Sequence, residues 1–193
     1  RAIRHGLRFG AHGLPLIGSG DWNDGMDRVG IQGKGESVWL GFFLSEVLRR
    51  FSELAVAHGD TTFAEFCRGE GARLHQALEQ HGWDGAWFRR AYDDFGKVLG
   101  SKKNKEGKIF VEPQGICIMA GLGLKNGRAK KALDSVSKHL ATRHGIMLQQ
   151  PAFSEYYLHL GEISSYPPGY KENAGIFCHT NPWVMIAETM MGH

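Results

Sequence analysis

Cysteine is scarce in this sequence. Cys67, Cys117 and Cys178 are odd in number, widely spaced and lack a CxxC pair, which excludes a disulfide framework and fits buried thiols in a reducing compartment. Long apolar runs are also missing. The longest, near Val38 to Leu44, is interrupted by Gly41 and falls far short of the about 20 residues that a membrane-spanning helix needs. No sign of charge dominates: Lys and Arg number 23 against 20 Asp and Glu. The one basic cluster, Lys102, Lys103, Lys105 and Lys108, lies in a Gly/Ser/Asn-rich stretch with Phe110 as its only nearby aromatic, so it reads as a solvated turn rather than a nucleic-acid patch. No HExxH or other tight ligand spacing occurs among the ten histidines, and there is no GxSxG, so neither a metal site nor a nucleophile elbow is expected.

What is present suits a folded domain. Of the 193 residues, 42% are hydrophobic, with 11 Phe and 5 Trp, and a chain this long can bury roughly 70% of its unfolded surface. The chain opens on Arg1-Ala2-Ile3-Arg4 without a signal-peptide pattern and closes at His193, directly after the apolar run Val184 to Met190. We therefore expect a piece of a longer protein.

Most of the periodicity is helical. From Ser37 to His58, Trp39, Phe43, Val47, Phe51 and Ala55 recur every four residues. Phe42, Leu40, Leu44 and Leu48 broaden that stripe, predicting a long, well-buried helix ended by Gly59. A second helix is expected from Asp60-Thr61-Thr62 to about Gln80, with Thr62 and Glu65 at capping-box spacing. Others are expected over Gly115 to Leu122, Arg128 to Thr142, and Pro182 to Met191 with Pro182 near the first turn. Ile109 to Val111 and Ala86 to Ala91 could be short strands. Between the helices run three long irregular segments, Gly10 to Gly35, Gly82 to Gln114 and Gly145 to Thr180. Loops that long are uncommon in a compact domain unless they carry function.

Two of these loops concentrate chemistry. The first reads Gly18-Ser19-Gly20-Asp21-Trp22-Asn23-Asp24-Gly25-Met26-Asp27-Arg28. As a calcium loop counted from Asp21 it fails, because the sixth position is Met26 and the twelfth Gln32. It has neither the spacing nor the context of a phosphate loop. Asp21 and Asn23 could simply fold the turn. The functional reading is a sugar site: an indole packs on a pyranose face, carboxylates and amides bond hydroxyls, and a carboxyl beside apolar surface can protonate a glycosidic oxygen. The second loop runs from Gly161-Glu162 through Tyr166-Pro167-Pro168-Gly169-Tyr170-Lys171-Glu172-Asn173 to His179-Thr180-Asn181-Pro182-Trp183. Its Pro-Pro-Gly turn should bring Tyr166 and Lys171 together, and His179 stands just before a helix start, where an anion is favoured.

Taken together, Gly-Ser-Gly-Asp-Trp-Asn-Asp-Gly-Met and Tyr-Pro-Pro-Gly-Tyr-Lys-Glu-Asn-Ala-Gly-Ile-Phe-Cys-His-Thr-Asn-Pro-Trp resemble the glycoside hydrolase family 94 phosphorylases, closest to those acting on cellobiose. Gly35-Glu36-Ser37-Val38-Trp39 and Glu112-Pro113-Gln114-Gly115 fit the same pattern, so the resemblance covers essentially the whole chain. It implies an all-α fold, residues 1–193 being the C-terminal portion of a single (α/α)6 barrel with long functional loops. It further implies inverting, reversible phosphorolysis of cellobiose to α-D-glucose 1-phosphate and D-glucose. In the family's pattern Asp24 is the general acid and Trp22 lines the site. Glu162, Tyr166 and Lys171 hold the acceptor-side sugar, and His179 contacts phosphate. No cofactor or metal is implied, phosphate being a co-substrate; the partners are small molecules, neither nucleic acid nor membrane. A homodimeric parent is expected, and a cytoplasmic location from the free thiols and the use of a phosphorylated sugar inside the cell. Other β-linked sugars (cellodextrin or N,N′-diacetylchitobiose) and a non-catalytic carbohydrate-binding module are the competing readings.

Overall fold

The computed structural model describes residues Arg1–His193. The protein is mostly helical, with α1 (Ala2–Gly6), α2 (Val38–Ala57), α3 (Thr61–His81), α4 (Glu112–Met119), α5 (Arg128–His139) and α6 (Thr180–Met190). An all-α description is incomplete, however. Seven two-residue strands pin the loops: β1 (Glu36–Ser37), β2 (Ala91–Tyr92), β3 (Val98–Leu99), β4 (Ile109–Phe110), β5 (Ala141–Thr142), β6 (Gly145–Ile146) and β7 (Gln149–Gln150). β1, β2 and β3 form an antiparallel sheet in that order, while β4 pairs with β7 and β5 with β6. β4 falls within the expected Ile109–Val111 strand, whereas only the last residue of Ala86–Ala91 belongs to a strand, β2; the others are too short to show alternation.

α2 and α3 form a helical hairpin. Ser37 caps α2, its Oγ accepting the Leu40 N–H at 2.9 Å. α3 is capped by Asp60, which accepts the Phe63 N–H, so the Thr62–Glu65 spacing is not the cap. α4 packs against α2, α5 and α6. It starts at Glu112 rather than Gly115, with Pro113 in its first turn, where a missing N–H costs nothing. α5 ends at His139 because Ala141–Thr142 turn back as a strand on Gly145–Ile146. α6 starts at Thr180, two residues before Pro182.

The main core joins Val38, Phe42 and Leu48 of α2 to Leu74 and Leu78 of α3, Ile116 and Ile118 of α4, Leu133 and Val136 of α5, and Val184 of α6. The expected stripe of α2 is therefore rotated. Phe43 and Phe51 are exposed, as are Leu54 and Val56, while Gly41, Ser45 and Ser52 face the core. Small residues let α3 approach: a Cβ on Gly41 would meet Leu78 Cδ2 at 2.9 Å. Cys67 and Cys117 are buried as expected, whereas Cys178 is exposed on the loop before α6. No helix is long and apolar enough to cross a membrane.

Candidate active site

The first loop is built on a buried ion pair. Asp21 and Arg90 both have fully buried side chains. The antiparallel register sets Ser37 opposite Ala91, which places Arg90 beside Ser37 beneath the loop. One guanidinium nitrogen donates to Asp21 Oδ2 at 2.7 Å and the other to Asp21 Oδ1. The same guanidinium donates to Asn23 Oδ1 at 3.2 and 2.6 Å. The Ser37 hydroxyl adds a bond to Asp21 Oδ2 at 2.6 Å, and the Asn23 N–H one to Asp21 Oδ1 at 3.1 Å. Burial raises the Asp21 carboxyl, but the Arg90 charge and these donors outweigh it and hold the group below the ordinary carboxylate range. Asp21 and Asn23 thus fold the turn. Asp24, the next residue, is exposed and takes no part in this clamp.

The second loop is stitched onto the first. The Ile163 N–H donates to Gly25 O at 2.7 Å, the Glu162 N–H to Asp27 Oδ1 at 2.9 Å, and the Gly25 N–H to Glu172 Oε2 at 3.0 Å. Only glycine fits at position 25, because a Cβ would lie 2.9 Å from Ile163 N. On this loop the Lys171 ammonium lies 4.9 Å from the centre of the Tyr166 ring, the pairing expected of the Pro-Pro-Gly turn. The Tyr166 hydroxyl is pushed up to about 12, first by its hydrogen bond to the Glu162 carboxylate, then by desolvation and the charges of Glu162, Glu172 and Asp24. Glu162 and Lys171 are exposed and Tyr166 is half-buried.

Trp22 joins the remaining member. Its half-buried indole meets Trp183 edge-on at 5.4 Å, Phe177 at 5.8 Å and His179 at 6.1 Å. Trp183 in turn stacks on Trp39 of α2 at 5.9 Å. His179 is exposed at the N-cap of α6, where unsatisfied N–H groups and the helix dipole favour an anion. The structure therefore gathers Asp24, Glu162, Tyr166 and Lys171 at the junction of the two loops, and ties Trp22 to His179 at its edge.

Three residues of this region escaped the sequence reading. Arg90 is the cation of the clamp. Glu172 is half-buried against Gly25 and its carboxyl is raised, chiefly by burial. Glu112 is fully buried, with neither carboxylate oxygen hydrogen-bonded, and burial pushes it up to about 7 against the pull of Arg90. The last two lie inside motifs visible in the sequence. The rest of the Glu-Pro-Gln-Gly motif is structural. Gln114 bonds Phe88 N, Phe88 O and Phe110 O, and a Cβ on Gly115 would meet Trp183 of α6 at 3.0 Å.

Residues 1–193 match the catalytic domain of the glycosyl hydrolase 94 superfamily, and the chain belongs to that superfamily. It is 42% identical over 182 residues to the cyclic beta-(1,2)-glucan synthase NdvB of Rhizobium meliloti, covering 93% of this chain and 6% of that protein. It is 33% identical to the solabiose phosphorylase of Paenibacillus borealis, over 95% of this chain and 24% of the relative. With the N,N′-diacetylchitobiose phosphorylase of Vibrio proteolyticus the identity is 32%, over 89% of this chain and 21% of the relative. The chain thus spans a quarter or less of the length of these relatives.

Proposed function

We propose that this chain is the acid-bearing part of an (α/α)6 catalytic barrel in a longer protein that performs inverting phosphorolysis of a β-linked glucoside. The observation that carries the reading is the Asp24 carboxylate, exposed at the loop junction while its neighbours are engaged. Asp21 is held by Arg90, Glu172 by the Gly25 N–H and Asp27 by the Glu162 N–H. An inverting hydrolase needs one carboxyl to protonate the leaving oxygen and a second to activate water. Phosphate is already an anion at neutral pH, so a phosphorylase needs only the acid and a place for the anion. Asp24 delivers its proton to the glycosidic oxygen as the C1–O bond breaks. A phosphate oxygen forms the new bond to C1 from the opposite face, inverting the anomeric centre. His179, at the N-terminus of α6, contributes to the phosphate site, Trp22 packs on the sugar, and Glu162, Tyr166 and Lys171 hold the acceptor-side ring. No cofactor takes part.

Two substrates follow from different observations. Cellobiose rests on the motif resemblance and the acceptor-side trio. A β-(1,2)-linked glucan is supported by the 42% identity to a protein named for that linkage, against 31–35% for the relatives named as phosphorylases of other β-linked sugars; this second reading is the one we favour. A panel of cellobiose, linear β-(1,2)-glucan and N,N′-diacetylchitobiose, each with phosphate and the full-length protein, separates them by which one yields a sugar 1-phosphate. A non-catalytic binding module would bind sugar equally well after Asp24→Asn and release no product from any of the panel.

A further inference from the structure

Glu172 sits on the most constrained piece of backbone in the second loop. The residue before it, Lys171, has φ 46°, and Ala174 has φ 64°, conformations that L-residues hold only when their surroundings impose them. The imposing residue is Asn173, fully buried. Its Oδ1 accepts from Phe153 N at 2.8 Å and Gln149 Nε2 at 3.3 Å, and its Nδ2 donates to Phe153 O at 2.8 Å and Tyr166 O at 2.7 Å. From this anchor the Glu172 side chain reaches across 147 positions of sequence to the N–H of Gly25, the residue after Asp24. The charged and titratable groups around it are Asp24 on the acid loop, Arg90 beneath, and Tyr166 on its own loop, flanked by Glu162 and Lys171.

Building on the proposed acid role of Asp24, we propose that Glu172 is a positioning residue for that acid, tying the main chain next to Asp24 to the acceptor-side loop and holding a carboxylate beside the Asp24 carboxyl. The bond fixes where the proton is delivered relative to the sugar held by Glu162, Tyr166 and Lys171. A displacement of about 1 Å at such a point costs about a hundredfold in rate.

The test uses the full-length enzyme and its phosphorolysis assay, with Glu172→Ala, Glu172→Gln and Asp24→Asn side by side. Glu172→Ala is expected to lower kcat about 10- to 100-fold while KM for sugar and phosphate stays within about twofold. Glu172→Gln keeps an oxygen for the Gly25 N–H and is expected to recover part of that kcat. A loss confined to KM, an unchanged kcat in Glu172→Ala, or no recovery in Glu172→Gln overturns the proposal. If that happens while Asp24→Asn is inactive, Glu172 fails alone. If Asp24→Asn keeps full activity, the acid assignment falls and this inference falls with it.

Discussion

Glu112 carries a cost that its surroundings do not offset. Arg90 is the one guanidinium nearby, and its N–H groups are spent on Asp21, Asn23 and Ser37, so a charged Glu112 would have no counter-ion of its own. In the unfolded chain the carboxyl ionises at its ordinary 4.5, in the folded chain at about 7. Between those values the unfolded state has released a proton that the folded state still holds. Stability therefore falls as pH rises from 4.5 through 7 and stays reduced above. Glu112→Gln, a mimic of the neutral acid, is expected to be about as stable as the parent at pH 4 and up to about 3 kcal/mol more stable at pH 8; chemical denaturation at the two pH values checks this. At this scale the sequence made two short motifs legible and hid their long-range partners. Asp24, Trp22, Glu162, Tyr166, Lys171 and His179 lie in two short motifs dense with sugar-binding residue types. Arg90 meets Asp21 across 69 residues and Glu172 meets Gly25 across 147, and no local spacing encodes those pairings.

At the scale of elements, Ser37 belongs to three at once. It ends β1, caps α2 through Leu40, and donates to Asp21 beneath the acid loop. Asp60 caps α3 in the same way and touches no part of the site. Removing either cap costs about 1 kcal/mol. Asp60→Ala is expected to lower the thermal midpoint and leave kcat untouched, while Ser37→Ala lowers both, because it also removes one of the two donors to Asp21 Oδ2 in the clamp. Equal kcat in the two variants would sever the link between the helix cap and the site. Helix positions were legible from periodicity, caps and glycines. The face that α2 buries was not, because both of its sides are apolar and the buried one is lined partly by Gly41, Ser45 and Ser52, which a hydrophobic stripe does not count. The strands, two residues each, exist through tertiary pairing alone.

At the scale of the whole molecule, apolar side chains on two helices stand uncovered. Phe43, Phe51, Leu54 and Val56 of α2 are exposed, together with Met185, Ile186 and Met190 of α6. Scattered apolar residues are ordinary on a surface, but several along one helix mark a face made for contact. In our reading the missing cover is the rest of the barrel, in keeping with relatives at least four times as long. The 193-residue chain alone is expected to self-associate and to show no phosphorolysis. Light scattering after size exclusion checks the first point, and a monodisperse, active monomer would contradict the account.

The most direct test follows the α-sugar 1-phosphate by NMR in the full-length protein given phosphate and each β-linked substrate, beside Asp24→Asn. The account predicts a phosphate-dependent α-anomer from one of them, reduced about a hundredfold or more in the variant. A β-anomer, free glucose released without phosphate, or an undiminished rate in Asp24→Asn would contradict it.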